Sequence, residues 1–151
     1  MEIKSLNLRA AIGIGATFLL VACGPSEEER KRLVAEEERK QLAADSENAC
    51  AEIDQTSRGF GGPSKRMDIL KSYGLQPRQA NTLEEYFTLM FDVADASRAL
   101  KEAGSAGVGF ASKVSCMKEA MITCSDAYIS VALGKEDILK ESAKRVNACA
   151  S

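Results

Sequence analysis

Leu83, Tyr86, Phe87, Met90, Val93, Ala94, Ser97 and Leu100 recur at three- and four-residue spacing. That spacing lays side chains along one face of an α-helix, and such a face has to be buried against another element. Strict apolar-polar alternation between turn residues, the strand pattern, occurs in no window, and no internal repeat stands out. Thr82-Leu83-Glu84-Glu85 fits a capping box, in which Thr82 accepts from the first free amides and Glu85 stands three residues on. The helix is therefore expected to start at Thr82 and to run to about Ala103, where Gly104 ends it.

Other segments read the same way. Glu27 to Ile53, EEERKRLVAEEERKQLAADSENACAEI, holds no Pro or Gly and is rich in strong helix formers. Ala35, Leu42 and Ala49 recur every seven residues, and Cys50 and Ile53 extend the apolar edge only near the end. One weak apolar residue per heptad is too little for a coiled-coil seam. With pairs such as Glu28/Arg32 and Glu36/Lys40 on its surface, residues 27–48 are expected to form a charged, solvated stalk that joins a bundle at its C-terminal half. Thr56 to Ser64 breaks the helix with three glycines and a proline. A short helix from about Ser64 to Tyr73 follows, with Gly74 in a left-handed C-cap and Leu75 as its apolar companion. After GSAGVGF, one helix is expected from about Ala111 to Leu133. It carries a bulky stripe (Val114, Met117, Met121, Cys124, Tyr128, Val131) beside a small-residue stripe (Cys116, Ala120, Thr123, Ala127). Beyond Gly134, Ile138 or Leu139, Ser142, Val146 and Cys149 mark a last helix. The expected class is all-α: a small disulfide-stapled bundle of about four to five helices at 49–151, after the charged N-terminal helix.

The first residues have a different character. Lys4 and Arg9 precede AAIGIGATFLLVA, Ala10 to Ala22, an apolar run shorter than the roughly 20 residues a membrane span needs. A basic start, a short apolar core and a small residue before a cut are the marks of a secretory signal. Leu20-Val21-Ala22-Cys23 resembles the bacterial lipobox, and the resemblance covers the first twenty-four residues only. It implies that residues 1–22 are removed, that Cys23 receives a diacylglycerol on sulfur and a further acyl chain on its new amino group, and that residues 23–26 tether the protein to a membrane. One acyl chain binds a bilayer marginally, whereas two or three hold nearly irreversibly. Gly24 stands where Asp favours inner-membrane retention, so the resemblance implies the outer membrane and its periplasmic side.

Removal of residues 1–22 leaves 129 of the 151 residues, enough for one domain with a modest core. The net charge then falls from −2 to −3, because the leader carries Lys4 and Arg9 against Glu2. No basic patch points to nucleic acid. Cys50, Cys116, Cys124 and Cys149 remain, an even number that favours disulfides in an oxidising compartment. On one continuous helix, Cys116 and Cys124 would stand about 12 Å apart, beyond the roughly 7 Å reach of a bridge. Cys50 and Cys149 must then each take one of them. Helix register does not choose between the two pairings, but the apolar stripes favour Cys124 with Cys149 and Cys50 with Cys116.

The chain contains no histidine, which removes Ser-His-Asp catalysis, mixed Cys/His zinc sites and covalent haem attachment. The cysteine spacings fit neither a four-cysteine zinc site nor a Cys-x-x-Cys redox pair. RGFGGP and AGSAGVGF lack the order of a phosphate loop and read as helix connections. Glu84 and Glu85 are accounted for by capping, and the carboxylates of Glu27 to Glu38 by the stalk. With no nucleophile, base, metal or cofactor to name beyond the lipid on Cys23, the expected role is a non-enzymatic, membrane-anchored interaction module. Its partner would be another envelope protein, with the protein acting as an accessory, exclusion or immunity factor. The alternative is a carrier for a small apolar ligand, using the adaptable faces of Met90, Phe91, Met117 and Met121.

Overall fold

The computed structural model describes residues 26–57, 62–103 and 108–151, and every described element is an α-helix. The expected leader, Cys23 and most of its tether, and the glycine-rich connections at 58–61 and 104–107 lie outside the described residues. The helices are α1 Glu27–Ser57, α2 Pro63–Ser72, α3 Pro77–Ala103, α4 Val108–Ala120, α5 Cys124–Ala132 and α6 Asp137–Ala150. A small, disulfide-stapled all-α bundle with a charged N-terminal helix is therefore the fold.

α3 is the spine, touching α2, α4, α5 and α6. Its N-terminal half anchors the larger core, where Leu83 and Phe87 meet Ile53 of α1, Leu70 of α2, Tyr128 and Val131 of α5 and Leu139 of α6. Val93 anchors a second, smaller cluster with Val114, Met117 and Ala120 of α4 and Val146 of α6. α3 begins at Pro77, five residues earlier than the capping box at Thr82 implies. Pro77 suits the first helical position, where no N–H is needed, and Gln79 Oε1 accepts from the Gln76 N–H at 2.9 Å, as a third-position side chain does. Thr82 is then inside the helix, its hydroxyl donating back to the Arg78 carbonyl at 3.2 Å.

α2 ends as its sequence indicates. Gly74 adopts φ +91°, its N–H donates to the Lys71 carbonyl, and the Leu75 N–H reaches back to Leu70, with both leucines buried. Gly134, at φ +70°, closes α5 in the same manner through bonds from Gly134 and Lys135 to Val131 and Ser130.

The helix expected over 111–133 is two helices. Met121-Ile122-Thr123 is non-helical, and Thr123 caps α5 by accepting from the Asp126 N–H at 3.1 Å. The amide that the break would strand is met from α3: the Ile122 N–H donates to Tyr86 Oη at 2.9 Å. Ser142 Oγ, fully buried on α6, donates to the Ala120 carbonyl at 2.8 Å and lies 2.8 Å from Tyr86 Oη. Because the Ser142 hydroxyl has one proton and gives it to Ala120, Tyr86 must be the donor to Ser142. A single chain of hydrogen bonds thus joins α3, α4, α6 and the corner between α4 and α5.

Tyr128 makes a comparable link, donating to the Tyr73 carbonyl at 2.5 Å just past α2. Burial pushes its phenol above the ordinary tyrosine range, with Asp45 and Tyr73 adding to the shift. A folded-state pKa above the unfolded one stabilises the fold below about pH 10 and ceases to do so as pH rises through the folded value. The Tyr128→Phe variant is therefore expected to lose stability less steeply than the parent above pH 10 in an alkaline unfolding titration followed by circular dichroism. Tyr86→Phe is expected to cost about 1–3 kcal/mol in urea unfolding, because it orphans the Ile122 N–H and a buried Ser142 lone pair. An unchanged midpoint would show that the hydroxyl chain does not hold the corner.

Candidate functional site

The four cysteines form two bridges, and the pairing differs from the one favoured by the apolar stripes. Cys50 joins Cys124 with Cα atoms 6.0 Å apart, and Cys116 joins Cys149 at 5.6 Å. The reason is the break at 121–123. A continuous helix would keep Cys116 and Cys124 beside shared neighbours, but the corner sends α5 against α1 and α4 against α6. Each bridge thus fastens one of those two contacts, and each belongs to a different core cluster. The loops closed span 74 and 33 residues in sequence, worth about 4.5 and 3.7 kcal/mol in the chain-entropy picture. Lys113 of α4 reinforces the second contact by donating to the carbonyls of Ala150 and Ser151 at 3.0 and 3.1 Å, a cation at the end of a helix where the dipole favours it.

The two bridges are not equally sheltered. Cys116 is exposed and Cys149 half-buried, whereas Cys50 and Cys124 are both half-buried between α1 and α5. Mild reduction of the folded protein, followed by alkylation and peptide mapping, is expected to label Cys116 and Cys149 before Cys50 and Cys124. Labelling in the opposite order would contradict that ranking.

α1 presents the largest unpacked element. Its inner face runs Leu42, Ser46, Ala49, Ile53 and Thr56, so the packed part begins ahead of the boundary expected at residue 49. Every residue from Glu27 to Gln41 is exposed, a rod of about 22 Å. The rod supports itself: Ser26 Oγ accepts from the Glu29 N–H at 3.2 Å, and three acidic residues occupy the first turn. Glu27 pairs with Lys31, Glu28 with Arg32 and Glu36 with Lys40, each acid four residues before its base. Leu33 and Val34, 56 % and 58 % exposed, interrupt this charged surface.

A cleft of about 790 Å³ opens between the end of α1, the start of α2 and the middle of α3, walled by Asp54, Pro63, Arg66, Phe91, Asp92 and Arg98. At its base Arg66 Nε donates to Glu84 Oε2 at 2.9 Å, a second nitrogen of Arg66 meets Oε1, and the guanidinium lies 4.9 Å from the centre of the Phe91 ring. Glu84 is thus a buried ion-pair partner and not a cap. The sequence did carry a signal for this: Arg66 stands where the stripe of Ile69, Leu70 and Tyr73 extends back by one turn, and Glu84 lies between Leu83 and Phe87. A buried charge at such a position needs a partner. The pair satisfies itself and offers no free nucleophile or base. Beside it, a hollow of about 120 Å³ is lined by Ile53, Phe87, Met90, Phe91 and the Cys50–Cys124 bridge, smaller than the roughly 300 Å³ at which small-molecule pockets begin. Met117 is buried core, and Met90 and Met121 pack against the two clusters.

Among the described residues no group of His, Cys, Asp or Glu is placed to hold a metal, and no helix is long and apolar enough to cross a membrane. No family model, curated protein or solved structure matches this chain.

Proposed function

We propose that this chain is a lipid-anchored protein of the bacterial envelope that holds a non-enzymatic helical module at the membrane for binding another envelope protein. The observation that carries the reading is the position of Cys23. It follows Leu20-Val21-Ala22 and stands four residues ahead of a self-supporting charged rod. Two disulfides support the same compartment, since such bridges are rare where glutathione keeps thiols reduced. In this reading Gly24 to Ser26 form the tether and the exposed part of α1 spaces the bundle from the lipid headgroups. With Gly24 in place of Asp, the destination is the outer membrane, with the protein on its periplasmic side. The interior supports a binding module over a ligand carrier, because the apolar hollow is small and the larger cleft is lined by charges.

Intact-mass spectrometry of the protein isolated from bacterial membranes tests this. The expected species begins at Cys23 and carries a diacylglyceryl group and one amide-linked acyl chain. Cys23→Ser is expected to leave residues 1–22 attached and to block acylation. A bare Cys23 thiol, or a retained leader in the parent protein, overturns the proposal.

A further inference from the structure

The exposed part of α1 contains a short repeat after all: EEERKRLVA at 27–35 is followed by EEERKQLAA at 36–44. Nine residues at 100° each amount to two and a half turns, so corresponding residues fall on opposite sides of the helix. Leu42 faces the bundle, and Leu33 accordingly faces away from it. Leu33 and Val34 flank a face whose centre carries Arg30 and Glu37, one turn to either side. These two charges have no ion-pair partner among the described residues, whereas Glu27, Lys31, Glu36 and Lys40 pair within the helix.

The order of charges on this face selects an occupant. When a second copy of the helix is laid antiparallel with Leu33 level with Val34, Arg30 meets Glu37 on the midline, Leu33 packs against Leu33 on one flank and Val34 against Val34 on the other, and the two-fold axis repeats the Arg30–Glu37 match. On the flanks, about a fifth to a quarter turn from the midline, Lys40 faces Glu29 and Glu27 faces Glu38, an opposite-charged and a like-charged couple that offset each other. A parallel pair would set Arg30 against Arg30 and Glu37 against Glu37. Only the antiparallel register joins the apolar residues and satisfies the unpaired charges together. We propose that this outward face of α1 is a self-association surface, on which two copies of the chain pair through antiparallel rods centred on Leu33 and Val34. The bundles lie at opposite ends, and since Leu33 and Leu42 point in opposite directions, neither bundle obstructs the partner rod.

The pairing does not depend on a lipid at Cys23. Two apolar residues from each copy and the Arg30–Glu37 pair, made twice, form a small interface, so the expected affinity is weak, with a Kd on the order of 10⁻⁴ M at low salt.

Sedimentation equilibrium of the purified full chain tests the proposal. A monomer–dimer equilibrium is expected at about 50 mM NaCl, weakening about tenfold in about 0.5 M NaCl as the charges are screened. Arg30→Glu and Glu37→Arg should each weaken self-association about tenfold, while the double variant, and an equimolar mixture of the two single variants, should recover it. All these positions are exposed, so circular dichroism should show the fold unchanged. In a mixture of Arg30→Cys and Glu37→Cys chains, oxidation should join one variant to the other. A chain that stays monomeric to millimolar concentration, a dimer indifferent to Arg30→Glu, or cross-linking of Arg30→Cys only to itself overturns the proposal.

Discussion

Between α4 and α5 the backbone turns at Ile122, and its amide has to find an acceptor that no helix supplies. The phenol of Tyr86 provides it and donates its own hydrogen bond to Ser142, whose hydroxyl in turn donates to the last carbonyl of α4. Buried polar groups left unmatched are costly, so these bonds have to form together. With the corner fixed, α5 lies along α1 and α4 lies along α6, and the cysteines meet in the only pairs those contacts permit.

Much of this was legible in the sequence because it is local. Three- and four-residue spacing gave α3, and Gly74 and Gly134 marked helix ends that do adopt positive φ. The C-terminal half of α1 was visible from Leu42, Ala49 and Ile53. What escaped depends on distant groups. Thr123 and Asp126 spell a cap, but an apolar stripe running straight through them suggested continuity. Nothing near Ile122 in the chain announces that Tyr86, thirty-six residues away, takes its amide. The disulfide pairing inherited that omission, since the expected register placed Cys116 and Cys124 on one rod. At Thr82 the error was of another kind, two capping signals close together, of which Pro77 and Gln79 prevailed.

The molecule divides its charges sharply. Arg66 and Glu84 are drawn into the interior and matched to each other, with Phe91 lying over the guanidinium. Removing either partner would leave an uncompensated buried ion, which makes the pair a constraint on how α2 sits against α3. The charges of α1 remain in water, and there their sequence order matters more than any single contact. A rod with acid and base in alternating blocks tolerates solvent on all sides and still discriminates between orientations of a neighbour.

The bridges interleave along the chain: Cys116 lies inside the loop that Cys124 closes with Cys50, while its own partner lies outside it. A polypeptide delivered N-terminus first into an oxidising space exposes Cys50 and Cys116 before the other two. Coupling in order of arrival therefore yields an uncrossed, non-native pairing, Cys50 with Cys116, which has to be reshuffled by thiol–disulfide exchange before α4 and α5 can separate toward their proper neighbours. For a chain exported in that way, the interleaved pairing would call for exchange between bridges, or for oxidation that waits until the whole chain has emerged.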